Sequence, residues 1–500
     1  MTLNDEKSDA HPVAEKHVED AIVVGTSQLE VDPEDAARKK ALTRKILWKT
    51  DLRILPLLIV LYLCCWIDRA NVGNAKILGL PESLHINSHQ YGIALAVFYV
   101  FYIISEVPSV LLLKIVTPRR WLAALGIACG ILGMCLAFVQ NLAGFIVLRI
   151  ILGLFEGGLL PGIVVYLSGL YTRGELALRI GIFYTSATLA GAFSGLLARG
   201  LSAIRPRGGI DAGWRWIMLI EGLLTMVVCV VVVTLLPNTI SAARFLTPEE
   251  REYAATRLHV DATAHVEGGR EVEAEKFSWS EVRRGLLNLQ AWLAALTYIT
   301  MLSGIYSISI FLPSIIKGLG YTANSAQLWS VIPYAVATVF TIAVAVLSDR
   351  YQLRGPFMLI TLPVAIVGYA VIANVDDSKV HVKFAMTCLI ASGLYGSAPP
   401  CIVWVTNNCS GHYKRAASSG LQLAVANCGG FIGSFIYPAE QGPRYFESHT
   451  IVMSLLILGW FTVIVNILYC AKINRDKANG KYDQFIGYGD DRDPQYKMTI

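Results

Sequence analysis

The chain has 500 residues, 54% of them hydrophobic and only 16% charged, where a soluble protein carries roughly a quarter charged residues. This composition, with a mean hydropathy of +0.52, excludes a soluble enzyme and describes a polytopic membrane protein. The net charge of +5 reflects basic loops between apolar stretches rather than a nucleic-acid surface.

Residues 1–50 are polar. Asp5, Glu6, Glu15, Glu19 and Asp20 give way to Arg38, Lys39, Lys40, Arg44 and Lys45. This segment reads as a largely disordered cytosolic tail with a short helix near Pro33 to Lys49. No apolar core follows a basic start, so no cleavable signal peptide is expected.

A membrane-spanning helix needs about 20 mostly apolar residues. Candidates fall at 54–75, 91–115, 121–140, 143–170, 179–201 and 215–236, then at 291–316, 325–348, 356–375, 383–405, 416–437 and 450–471. Two sets of six predict an all-α membrane protein of two six-helix bundles, 51–236 and 289–472. A cytosolic central loop (237–288) joins them, and a cytosolic tail (473–500) follows.

Alternate connections hold Arg119 and Arg120, Arg173 and Arg179, Arg350 and Arg354, and Lys414 and Arg415. The positive-inside rule then places both termini and the central loop in the cytosol. In that loop, Thr247-Pro248-Glu249-Glu250 has the form of a helix start. The Asn408-Cys409-Ser410 sequon falls on the cytosolic side and is discounted.

Charge inside the hydrocarbon is costly and calls for a reason. The first span ends in Asp68-Arg69-Ala70-Asn71-Val72-Gly73-Asn74. Asp68 and Arg69 project about 100° apart on a helix, so at least one must face a cavity or another helix. The fourth span carries Arg149 and Glu156. Two turns separate them, about 10 Å along one face, too far for a direct ion pair. An arginine that grips a carboxylate bidentately, with a desolvated glutamate below it, suits an anion site above a proton site. A buried network that only fixes helix packing is the competing reading.

Glu106 in the second span and Glu221 in the sixth are expected to pair with neighbouring helices or loops. The second half is nearly free of intramembrane charge. It offers Tyr298, Tyr306, Ser309, Tyr395, Gln422 and Asn427 instead, each of which packing alone would explain. Gly191, Gly195, Gly429, Gly430 and Gly433 would permit close helix contacts. The cysteines, such as Cys64, Cys65, Cys129, Cys135, Cys229 and Cys388, mostly lie inside apolar stretches without metal-ligand spacing. No disulfide framework, metal or cofactor is expected.

The motif Asp68-Arg69-Ala70-Asn71-Val72-Gly73-Asn74-Ala75 resembles the signature of the anion:cation symporters of the major facilitator superfamily. Within them it is similar to the fungal allantoate permease branch, which includes nicotinate, pantothenate and biotin permeases. Further matches are Glu106-Val107-Pro108-Ser109, Pro118-Arg119-Arg120-Trp121, Arg149 to Gly157, Gly213-Trp214-Arg215-Trp216 and Glu221-Gly222. The resemblance covers about 50–475. It implies twelve helices in two bundles around a central cavity and proton-driven uptake of a small organic anion. It further implies that Asp68 and Glu156 couple protons and that Arg149 binds the anion or holds the acidic pair, with Arg69 a second candidate for the substrate's charge. With no retention or vacuolar sorting signal in the sequence, the plasma membrane is the expected location and a monomer the expected state. The acidic-basic gate motif after the second span is replaced by Lys114 to Arg120, while its counterpart survives as Asp349-Arg350-Tyr351. Export of a secondary metabolite and nutrient sensing without transport are the alternatives. Catalysis is not expected, because no nucleophile–base pair or phosphate loop is present.

Overall fold

The computed structural model describes residues 33–204, 213–263, 279–376, 378–486 and 490–500. The disordered tail expected over 1–32 and the middle of the central loop lie outside them. The chain divides into two units after Thr50. Both are threaded by one helix, α1 (Pro33–Ile77), so the short helix expected near Pro33 continues through the first span.

The remaining first-half helices are α2 (Ser88–Val116), α3 (Pro118–Leu136), α4 (Leu142–Glu156), α5 (Leu159–Ser168), α6 (Arg173–Leu201) and α7 (Gly213–Leu235). The loop between halves holds α8 (Pro248–Thr263) and α9 (Trp279–Leu286). The second half comprises α10 (Leu289–Gly318), α11 (Ala323–Trp329), α12 (Val331–Tyr351), α13 (Gly355–Asn374), α14 (Val380–Asn407), α15 (His412–Asn427), α16 (Gly429–Phe435) and α17 (Phe446–Ala478).

Helix starts follow local capping chemistry. The Asn87 side chain accepts from Gln90 N while Gln90 accepts from Asn87 N, a reciprocal cap that opens α2. The Thr247-Pro248-Glu249-Glu250 signal opens α8 in the same way, with Thr247 N donating to Glu250 Oε2 at 3.0 Å.

Among the described residues, eleven segments are long and apolar enough to cross a membrane. The remaining span, the eleventh in chain order, is α15 with α16, which breaks at Cys428 and so is not one continuous helix. Interior prolines such as Pro108 and Pro313 are accommodated within spans, as neighbouring helices permit.

Burial sorts the helices. The most apolar window of α10 is 94% buried and that of α14 83%, against 39% for α7 and 33% for α17. The seventh and tenth spans therefore line the centre, and the sixth, eighth and twelfth lie at the periphery.

The two bundles meet closely at the face opposite the basic loops. A methyl group at Gly73 of α1 would overlap the Ile310 carbonyl of α10. On the same side, a Cβ at Gly191 of α6 would lie 2.5 Å from the Tyr334 ring of α12. Only glycine admits these approaches.

At the basic face, Arg179 of α6 grips Asp51 of α1 with Nη2–Oδ2 at 2.8 Å and Nε–Oδ1 at 3.2 Å. The surviving gate motif is similarly tied, with Arg354 Nη2 on Asp349 Oδ1 at 2.8 Å.

Residues 490–500, expected as tail, form a strap across the helix ends of the second bundle. Lys477 Nζ donates to the carbonyls of Asp491, Asp493 and Tyr496 at 2.6, 3.1 and 2.7 Å. Asn408 exchanges two hydrogen bonds with the Thr499 backbone, at 2.9 and 2.7 Å. The sequon asparagine is thus 1% exposed and fully engaged.

Candidate functional site

The site assembles where α1, α2 and α4 converge on α10 and α15. The helical twist separates Asp68 from Arg69, and the two acquire different partners. Arg69 Nε forms an ion pair with Glu156 Oε1 of α4, with both side chains buried at 6% and 3% exposure. An aromatic shell encloses its guanidinium, which lies 4.7 Å from the Trp66 ring centroid, 4.6 Å from Tyr102 and 5.4 Å from Phe98. Such faces stabilise a cation without consuming its hydrogen-bond donors.

Arg149 differs. It is 2% exposed, yet Nε and Nη2 have no hydrogen-bond partner among the described residues. Its nearest cation-binding surfaces are the rings of Phe145 and Phe98, at 5.4 and 5.9 Å. A buried guanidinium with idle donors is a costly arrangement that an anion would relieve. Phe98 lies against both arginines, so the ion pair and the idle cation share one aromatic wall.

Asp68 is 7% exposed and its Oδ2 likewise has no hydrogen-bond partner among the described residues. The rest of its motif is structural. Asn74 Nδ2 donates to Ser194 Oγ at 2.8 Å, and that hydroxyl donates to Asn71 Oδ1 at 3.0 Å, fastening α1 to α6.

From the second bundle, Tyr306 OH donates to Asn427 Oδ1 at 2.9 Å. Its ring packs 4.8 Å from Tyr99 and 5.8 Å from Trp66, which brings Tyr306 to the shell around Arg69. Asn427 Nδ2 donates to Glu106 Oε1 at 2.5 Å. Glu106 thus finds the neighbouring-helix partner expected of it, on the other bundle. Tyr298 OH meets Tyr184 OH of α6 at 3.1 Å, a second bridge between bundles.

Tyr395 packs edge-on against Tyr334, 6.1 Å away. Gln422 is occupied by the Cys401 carbonyl at 2.9 Å. Glu221 departs from expectation. It is 2% exposed and, among the described residues, neither carboxylate oxygen has a hydrogen-bond partner.

Sequence reasoning missed the shell of Trp66, Phe98, Tyr99 and Tyr102. The one available signal was the four-residue spacing of Phe98 and Tyr102, which places both on one face of α2.

The chain belongs to the Major Facilitator Superfamily, whose model matches residues 58–438. It is a multi-pass membrane transporter of that family, which is not an enzyme family. Over 484 residues it is 33% identical to an uncharacterized transporter of Schizosaccharomyces pombe, covering 95% of each chain. It is 29% identical over 464 residues to the high-affinity nicotinic acid transporter of Saccharomyces cerevisiae, covering 91% of this chain and 84% of that one. A D-xylose-proton symporter shares the fold, with a TM-score of 0.62 at 14% identity, covering 82% of this chain and 97% of that chain.

Proposed function

We propose that this chain is a proton-coupled importer of a small organic carboxylate, of the allantoate permease branch of the anion:cation symporters. It acts as a monomer in the plasma membrane, with both termini and the basic face in the cytosol. The observation that carries this reading is Arg149, buried with two donor nitrogens idle, beside an arginine that Glu156 already neutralises.

In this mechanism the substrate carboxylate docks on Arg149. A proton arriving on Glu156 dissolves its ion pair, and Arg69 becomes a second cation for the anion. Asp68 takes up a proton in the same step. The loaded cavity then carries less uncompensated charge, which lowers the cost of occluding it. The bundles rock, the site meets the cytosol, and proton loss restores the Arg69–Glu156 pair and expels the anion. Tyr298, Tyr306, Tyr395 and Asn427 supply the polar wall facing the arginines. The 51–236 and 289–472 halves are the rocking bodies, and 237–288 connects them.

The test is uptake of labelled carboxylates, nicotinate, pantothenate, biotin and allantoate among them, in permease-deficient yeast. Uptake is measured at acidic and near-neutral pH, with and without a protonophore. Acid-stimulated, protonophore-sensitive accumulation of one acid is expected. Surface-expressed protein that accumulates none of them would sink the reading.

A further inference from the structure

Glu221 is the buried charge that the mechanism above leaves unused. It sits on α7 with both oxygens unpartnered, although a hydroxyl lies one turn away. That Thr225 hydroxyl is spent on the backbone carbonyl of Glu221 itself, at 3.0 Å. The acidic group whose charge reaches Glu221 is Asp68 of α1.

The packing explains how they meet. The α3–α7 crossing is glycine-lined, and a Cβ at Gly130 would lie 2.7 Å from the Gly222 carbonyl. At Gly133, a Cβ would be 3.8 Å from Asp68 Oδ1 and 3.4 Å from Gly222 Cα. The Asp68 carboxylate therefore reaches through a notch free of side chains to the turn of α7 that carries Glu221.

The other titratable groups around the notch are thiols, Cys64 and Cys65 on α1, Cys129 on α3 and Cys229 on α7. On the α4 side, Asp68 also feels Glu156 and Arg149. Arg69 is turned away from the notch onto Glu156. Among the described residues, two carboxylates thus share an apolar notch with no ion pair made to either of them.

Two ionised carboxylates in such a place repel each other and lack solvation, so the pair retains a proton between them. We propose that Glu221 and Asp68 form a proton-sharing acid pair, in which Glu221 is a positioning residue that sets how tightly Asp68 holds its coupling proton. This inference rests on the proton-coupled reading above. The pair is also separate from the Arg69–Glu156 switch, so the transporter holds two proton sites of different character. One is released by an arginine and the other is governed by a second acid.

The test is the pH profile of uptake in Glu221→Gln and Glu221→Asp, normalised to surface expression. Without a second acid beside it, Asp68 gives up its proton more readily. The half-maximal pH of Glu221→Gln is therefore expected to move acid-ward by about one unit. That corresponds to an about tenfold loss of uptake near neutrality with the acidic rate retained. Glu221→Asp keeps an acid and is expected to restore the wild-type midpoint.

An unchanged midpoint in Glu221→Gln overturns the pair while leaving proton coupling intact. A wild type without acid stimulation overturns the coupling reading instead. If Glu221→Gln does not reach the membrane, infrared difference spectra of purified wild type and Asp68→Asn decide. Loss of a protonated-carboxyl band in Asp68→Asn supports the pair, and identical spectra refute it.

Discussion

The two halves of the site use different chemistry. The first half carries Asp68, Arg69, Arg149, Glu156 and Glu221, all buried in the middle of spans. The second half answers with Tyr298, Tyr306, Tyr395 and Asn427, while its buried charges, Arg354 and Lys383 among them, sit at helix ends. Charge confined to one bundle keeps each ion pair within a rigid body, so rocking need not tear it. Contacts across the gap are hydrogen bonds of hydroxyl and amide groups, worth about 1 kcal/mol each and about 1.5–3 kcal/mol where Asn427 meets the Glu106 carboxylate, which a rocking motion can break and remake. In the proposed mechanism the first bundle carries the proton and anion chemistry, and the second supplies shape and gating.

The sharpest way to break that division is Glu156→Gln. Removing the partner of Arg69 is expected to abolish proton-driven accumulation while leaving counterflow exchange. Full concentrative uptake by this variant would remove Glu156 from coupling. Arg149→Met follows. Losing charge-assisted hydrogen bonds of about 1.5–3 kcal/mol is expected to raise KM about ten- to hundredfold, and an unchanged KM would place the anion elsewhere.

A smaller effect is expected across the gap. Tyr306→Phe removes one neutral hydrogen bond to Asn427, so KM or the transport rate should change by about fivefold, close to 1 kcal/mol. A loss as large as that of Arg149→Met would show that the second bundle does more than shape the site.

The smallest effect concerns the strap. Burial pushes the Asp490 carboxyl up, but its hydrogen bonds to Arg492 and the charge of Arg284 outweigh burial and hold it below the usual carboxylate range. A carboxylate lowered by folding stabilises the folded form above its unfolded value. That contribution disappears as pH falls through the lowered value. Hydrogen exchange in 490–500 is therefore expected to rise only on strong acidification, and a rise near neutrality would contradict the ion pairs.

Much of this architecture is legible in the residues themselves. Apolar length and basic loops identify the spans because a bilayer admits few other solutions. The eleventh span was also legible as hydrophobic sequence, but its break at Cys428 was not. The angular separation of Asp68 and Arg69 already required different partners, yet the choice of Glu156 for Arg69 could not be read from spacing. That partner lies 87 positions away, and the choice depends on how α1 and α4 rotate against each other. The bond from Asn427 to Glu106 spans 321 positions and lies beyond any local pattern.

Sequence alone determined that this chain crosses the membrane repeatedly, and which few residues bring charge where charge is expensive. Those properties follow from composition and from the solvent each segment must meet. The tertiary structure alone decided which of those charges are paired. It neutralised Arg69, left Arg149 with idle donors and brought Glu221 into the field of Asp68. A charge's partner is a matter of three-dimensional proximity, and helix packing sets that proximity residue by residue.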